Sequence, residues 1–132
     1  HYIYNMVNIA IFVSGSGSNC ENIIQYFQNN KQANIALVVS NRSDAYALVR
    51  AQRLNVPTKV LPKADFNNQE MVMKLMADYR IDFIVLAGFL LMIPDWLISK
   101  SSYCLASVTF LYTSGISFAP TRFSMVCKTS NE

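Results

Sequence analysis

Residues 8–27 read NIAIFVSGSGSNCENIIQYF, and the order of their chemistry decides the fold. The apolar run Val7–Val13 is short and rich in β-branched residues, as a buried strand is. It breaks off at Ser14-Gly15-Ser16-Gly17-Ser18-Asn19, where the chain must turn. A helical pattern over Ser18–Asn29 follows at once, with Ile23, Ile24 and Phe27 on one face. Strand, glycine-rich turn and helix together make the first half of a βαβ unit.

Working outward, the same alternation continues. Residues 35–39 form a second buried strand, and 44–53 a helix with Ala45, Leu48 and Val49 inward. Asn55-Val56-Pro57 ends that helix, Asn taking the left-handed position and Pro following it. Residues 58–61 make a short third strand. Asn67 with Glu70 resembles a capping box for a helix to Tyr79, whose buried stripe is Met71, Val72, Leu75, Met76 and Tyr79. A fourth strand over 81–87 and a short helix over 94–100 complete the pattern.

Strands apolar on both faces that alternate with helices make a mostly parallel sheet covered on both sides. The fold class is therefore α/β: a doubly wound, three-layered, Rossmann-like arrangement. Right-handed crossovers favour strand order 3-2-1-4. Strands one and four then meet where the winding reverses. The glycine loop and the segment after Ala87 are expected to face each other across the crevice at the strands' carboxyl ends.

Composition narrows the function. A chain of 132 residues fits a single domain over 1–132 and buries roughly two thirds of its unfolded surface. The net charge of +3 comes from scattered Lys and Arg, which argues against a nucleic-acid groove. No apolar run reaches the about 18 residues that a membrane span needs, and HYIYNMVN does not read as a signal peptide. Residues 1–6 are expected to be an upstream extension, Met6 being the more natural start. Cys20, Cys104 and Cys127 form neither a disulfide framework nor a CxxC site, and the one histidine is His1. These features predict a cytoplasmic protein with reduced thiols and no metal.

A glycine-rich turn opening a helix presents unpaired amides and the positive end of the helix dipole, which suits a phosphate. Gly15 and Gly17 allow close approach, and Ser18 and Asn19 add side-chain donors or cap the helix. A Walker A loop is excluded because no lysine follows until Lys31. A dinucleotide fingerprint would need glycine at Cys20 and an acidic residue after the second strand, where Ser40-Asn41-Arg42 stands. An NADP-type site using Arg42 is the surviving variant. A single phosphate fits this loop better than a pyrophosphate.

Three segments together resemble one family. SGSGSN (Ser14, Gly15, Gly17, Ser18, Asn19), SNRSDAYALVRA (Ser40, Asn41, Asp44, Ala45, Leu48, Arg50, Ala51) and LAGF (Leu86, Ala87, Gly88, Phe89) are similar to motifs of glycinamide ribonucleotide formyltransferase. They occur in order and cover roughly residues 7–100. The resemblance implies formyl transfer from 10-formyltetrahydrofolate, as co-substrate, to the amine of glycinamide ribonucleotide, in de novo purine (IMP) biosynthesis. It implies that Gly17, Ser18 and Asn19 hold the substrate's 5′-phosphate. It also implies that Leu90, Leu91, Met92 and Ile93 line the folate's pterin pocket, with Gln69 at a further folate position. Leu91 and Gln69 depart from arginines found in relatives.

After Lys100 the likeness stops, and residues 101–132 are an unassigned tail. The family continues there with Asn-x-His-Pro and a later aspartate, which stabilise the oxyanion and relay protons. The tail has neither histidine nor aspartate. Its change of composition predicts a frame shift or misdrawn gene boundary, and a chain truncated before its catalytic residues and inactive as written. Residues 107–112 read as one further strand. Left uncovered by the tail, strand four would be a bare edge, with self-association through it. Two other readings stand beside the transferase. One is a formyltetrahydrofolate deformylase-like protein, whose family carries a domain before the first strand where six residues stand here. The other is a non-catalytic phosphoribosyl-binding module.

Overall fold

The computed structural model describes residues 6–99, 104–110 and 120–127, the last two stretches as backbone. The expected extension before Met6 and the remainder of the tail lie outside the described residues. Strand β1 (Val7–Val13) and helix α1 (Ser18–Asn29) have the bounds read from the sequence. Then follow β2 (Ala33–Ser40), α2 (Tyr46–Arg53), β3 (Thr58–Val60), α3 (Lys63–Phe66), α4 (Gln69–Asp78), β4 (Phe83–Leu86), α5 (Asp95–Ser99), β5 (Cys104–Phe110) and β6 (Pro120–Cys127).

The sheet order is β3-β2-β1-β4-β5-β6. The first four strands stand as expected, parallel throughout, with β1 central between β2 and β4. Of the two arrangements open to β4, a bare edge or one covered by the tail, the structure has the second. β5 pairs with β4 in parallel, from Phe83 opposite Cys104 to Leu86 opposite Ser107, and β6 returns antiparallel to β5. The strand expected at residues 107–112 therefore begins earlier.

Because strand side chains alternate, β1 feeds two cores at once. Ile9, Ile11 and Val13 point to one face, where they pack with Cys20 and Ile24 of α1 and Ala47, Leu48 and Ala51 of α2. Ala10 and Phe12 point to the other, among Phe66 of α3, Val72 and Met76 of α4, and Leu97 of α5. Each large apolar side chain so buried contributes about 1.5–3 kcal/mol. Helices on both faces give the three layers.

Local details correct several expectations. Val49, expected inward, is 38% exposed, because Ala47, Leu48 and Ala51 form the packed face of α2. Asn55 does take the left-handed conformation (φ 62°). The amides of Asn55 and Val56 then donate to Gln52 and Ala51, the paired bonds of a Schellman ending. The helix expected over 67–79 stands as one piece, Gln69–Asp78, and a separate single turn at Lys63–Phe66, not read from the sequence, precedes it and places Phe66 in the core. The cap of α4 is Asn68, not Asn67; its side chain accepts from the Met71 amide at 3.3 Å. Met71, expected in the buried stripe, is 41% exposed, while Val72 and Met76 are fully buried.

Two adjacent asparagines can therefore be told apart. Asn68→Ala should cost about 1 kcal/mol through the lost cap, and Asn67→Ala should cost almost nothing. Urea denaturation of the two variants measures the difference.

Candidate functional site

Ser14, Asn41 and Gly88 stand just beyond the carboxyl ends of β1, β2 and β4, and one buried hydroxyl ties them together. The Ser14 amide donates to the Gly88 carbonyl at 3.2 Å. Its Oγ donates to Asn41 Oδ1 at 2.6 Å and accepts from the Leu90 amide at 2.9 Å. Ser14 is fully buried. The glycine loop and the segment after Ala87 therefore do face each other, and the turn after β2 joins them. Gly88 makes its bend at φ 68°.

Past Ser14, three successive carbonyls are each held by the protein. Gly15 O accepts from the Ala47 amide at 3.2 Å, and Gly17 O from the Glu21 amide at 2.8 Å. Ser16 O accepts from Arg50 Nε at 2.8 Å. In a planar trans peptide, the carbonyl of one residue and the amide of the next point in opposite directions. Holding carbonyls 15, 16 and 17 against α2 and α1 therefore turns the amides of Ser16, Gly17 and Ser18 the other way. Among the described residues, nothing accepts from the amides of Gly15 to Asn19. The loop leads into the first turn of α1, where the positive end of the helix dipole favours an anion.

Gly17 caps α1 in the left-handed conformation, φ 79° and ψ 21°, with no side-chain cap bond. Capping thus falls to Gly17 rather than to Ser18 or Asn19, which are half-buried as the first two residues of the helix. Gly17 is buried against α2: a Cβ placed there would stand 2.5 Å from Ala47 Cα and closer still to Ala47 Cβ. Only glycine permits this crossing of loop and helix.

The charges around the loop are paired. Arg50 Nη1 donates to Glu21 Oε2 at 2.7 Å, and its guanidinium lies 4.9 Å from the centre of the Tyr46 ring. The Glu21 carboxylate holds the Arg50 pKa above its ordinary value. Arg42, the residue an NADP-type site would use, is engaged by Asp44 through Nε at 3.1 Å and Nη2 at 3.0 Å. That pairing holds the Asp44 carboxyl below its usual range. Cys20 lies one residue beyond the loop, but burial pushes its thiol up to about 12, so it is no nucleophile at neutral pH.

The apolar segment splits by face. Leu91 and Ile93 pack against the core around Phe12 and Phe66, whereas Leu90 and Met92 are 78% and 91% exposed. The Leu90 amide is committed to Ser14. Phe89 lies 5.5 Å from the Phe12 ring and 5.2 Å from that of Phe66. Gln69 opens α4 in an exposed position, three residues beyond Phe66. A cavity of about 450 Å³ lies at the opposite, amino end of the sheet, between Met6, Phe27, Lys31 and Val56, and takes no part in this site.

The sequence motifs include Ser14 and Arg50 without giving either a role, and they pass over Ala47 and Glu21. Ser14 carried a signal, a polar residue closing an apolar strand beside the switch point. The others act through partners distant in the chain.

A family model described as formyl transferase matches residues 7–106. A phosphoribosylglycinamide formyltransferase of Haemophilus influenzae is 38% identical over 90 residues, covering 64% of this chain and 42% of that protein. The chain thus spans less than half the length of that relative. The structure of a phosphoribosylglycinamide formyltransferase from Coxiella burnetii superposes with a TM-score of 0.68 at 31% identity, over 81% of this chain and 54% of that one. A glycinamide ribonucleotide transformylase from Geobacillus kaustophilus shares the fold alone, with a TM-score of 0.70 at 23% identity over 97% and 86% of the two chains.

Proposed function

The chain belongs to the formyl transferase family, and from that membership we propose that it is the phosphoribosyl-binding part of a phosphoribosylglycinamide formyltransferase. In this reading the loop holds the 5′-phosphate of glycinamide ribonucleotide through the amides of Gly17, Ser18 and Asn19. The formyl donor, 10-formyltetrahydrofolate, takes the mouth beside Leu90, Leu91, Met92 and Ile93, with Gln69 at its margin. The family membership supports the folate class of donor. Exposed Leu90 and Met92 beside the crevice suit a flat apolar ring.

One observation carries the proposal: carbonyls 15 to 17 are all held by α1 and α2, which turns the amides of Ser16, Gly17 and Ser18 away from those helices, and among the described residues nothing accepts from them. An unpaired backbone donor is costly to bury and ready to bind where an anion can reach it. The residues of this chain bind and orient the nucleotide. The family's Asn-x-His-Pro motif does not occur in these residues, whose one histidine stands at position 1. These 132 residues should therefore bind the nucleotide without transferring formyl to it.

Calorimetric titration of the 132-residue chain with glycinamide ribonucleotide, beside a formyl-transfer assay, tests both parts. Saturable binding without turnover is expected. Loss of binding as salt is raised should accompany it, because the contact is ionic in part. Absence of binding would remove the phosphate reading, and measurable turnover would remove the dependence on the missing histidine. The deformylase reading parts from this one through formate release from the folate donor without transfer to the nucleotide, whereas a non-catalytic phosphoribosyl-binding module shares the expected outcome of binding without turnover. Self-association, if it occurs, is proposed to use the outer edge of β6 and not β4.

A further inference from the structure

We infer that Arg50 is the positioning residue of the phosphate loop, setting the direction of the Gly17 amide by gripping the Ser16 carbonyl. The inference rests on the reading of the loop as a phosphate cradle. Of the three carbonyls held away from the mouth, those of Gly15 and Gly17 accept from backbone amides, which any residue would supply. The Ser16 carbonyl alone is held by a side chain, through Arg50 Nε at 2.8 Å. It belongs to the peptide unit whose N–H is that of Gly17, at the centre of the proposed site. Released, that peptide has only its two neighbours to fix it, and glycine on one side makes rotation cheap.

The guanidinium is itself fixed on three sides. Nε donates to Ser16 O, Nη1 to Glu21 Oε2 at 2.7 Å, and the planar group stacks on Tyr46 at 4.9 Å. Only a rigid planar fork meets a carbonyl and a carboxylate together from one stem; an ammonium presents one point charge. The Glu21 pair also has an electrostatic use. Glu21 stands in the first turn of α1, where a bare carboxylate would oppose an incoming phosphate. Arg50 neutralises it at contact distance. Two roles, orientation and neutralisation, therefore meet in one residue, and they can be separated experimentally.

The test measures glycinamide ribonucleotide affinity by calorimetry, and the loop amides by ¹H–¹⁵N spectra, in wild type, Arg50→Lys, Arg50→Met and the double variant Glu21→Gln/Arg50→Met. A charge-assisted hydrogen bond lost at the site predicts an affinity fall of about tenfold or more in Arg50→Met. Arg50→Lys should recover only part of it. The double variant removes the opposing carboxylate and should stay well below wild type. In the spectra, the Gly17 and Ser18 amides should shift on titration in wild type. The free-state Gly17 amide should already be displaced in the Arg50 variants, while cross-peaks of β1 and β2 are unmoved.

Affinity within twofold of wild type in Arg50→Met would overturn the inference, and so would full recovery in the double variant, which would leave neutralisation as the whole effect. Should Arg50→Met fail to fold, Arg50→Lys decides: unchanged affinity with an unmoved Gly17 amide would overturn it. Failure of wild type itself to bind would instead count against the phosphate reading.

Discussion

Gly17→Ala should lower stability by roughly 2–4 kcal/mol and abolish nucleotide binding. Two penalties combine. A non-glycine residue at φ 79° costs about 1–2 kcal/mol. The added methyl would also meet Ala47 at its Cα as well as its Cβ, so the obstruction is backbone and cannot swing aside. Overpacking of that kind typically adds 1–3 kcal/mol. The helix must then back away from the loop, which breaks the bond from the Ala47 amide to Gly15 O and turns the Ser16 amide from the mouth. Gly15→Ala is the control. Nothing lies within 4 Å of a Cβ at position 15, so its stability should stay within about 0.5 kcal/mol of wild type. Urea denaturation of both variants, with nucleotide titration at a temperature where both are folded, checks the pair. A stable Gly17→Ala that still binds would mean that the crossing of loop and α2 has nothing to do with the site.

The contrast between these two glycines explains what a sequence alone can and cannot disclose here. Gly15 and Gly17 look equivalent in SGSGSN, and both read as residues permitting close approach. The difference is made by Ala47, thirty positions on, whose packing against Gly17 depends on the α1–α2 contact. Local features were legible. The β1–α1 junction needed no tertiary information because an apolar run, a glycine turn and an amphipathic helix each announce their own state. The strand order followed from alternation and handedness. Where the reading slipped, two local signals competed. Asn67 and Asn68 are adjacent, and Glu70 three residues beyond the first made the wrong one look like the cap, while burial of Phe66 drew the preceding turn into a separate helix. The start of α2 was placed two residues early. Asp44 lies in an exposed turn with Arg42, and the bond from the Ala45 amide to Arg42 O closes that turn before the helix begins. The glycine turn is legible from its own residues, whereas the contacts that Arg50, Ala47 and Glu21 make around it arise only when the fold brings those helix residues beside the loop.

Ser14→Ala is the second large expected effect, because one hydroxyl serves three loops. Its removal leaves Asn41 Oδ1 without the donor now at 2.6 Å and the Leu90 amide without its acceptor. Leaving a buried polar group unsatisfied costs about 1–3 kcal/mol. With both groups only partly buried, water can reach them, and a total loss of roughly 2–3 kcal/mol is expected. The change should also be felt locally. The turn after Gly88 is held to β1 by the Ser14 amide and hydroxyl together, and the variant keeps only the amide bond to Gly88. Hydrogen exchange at the Leu90 amide should therefore accelerate by more than the global loss of stability explains, while amides in the middle of α4 report the global change alone. A double-mutant cycle with Asn41→Ala isolates the pair. If the Ser14–Asn41 bond acts as the geometry indicates, the double variant should be less destabilised than the sum of the singles by about 1 kcal/mol. Strict additivity, with Leu90 exchange unaltered, would show that the three loops stand independently. The glycine loop and the turn after Gly88 would then be held together by the sheet and the Ser14 amide bond to the Gly88 carbonyl, without help from the hydroxyl.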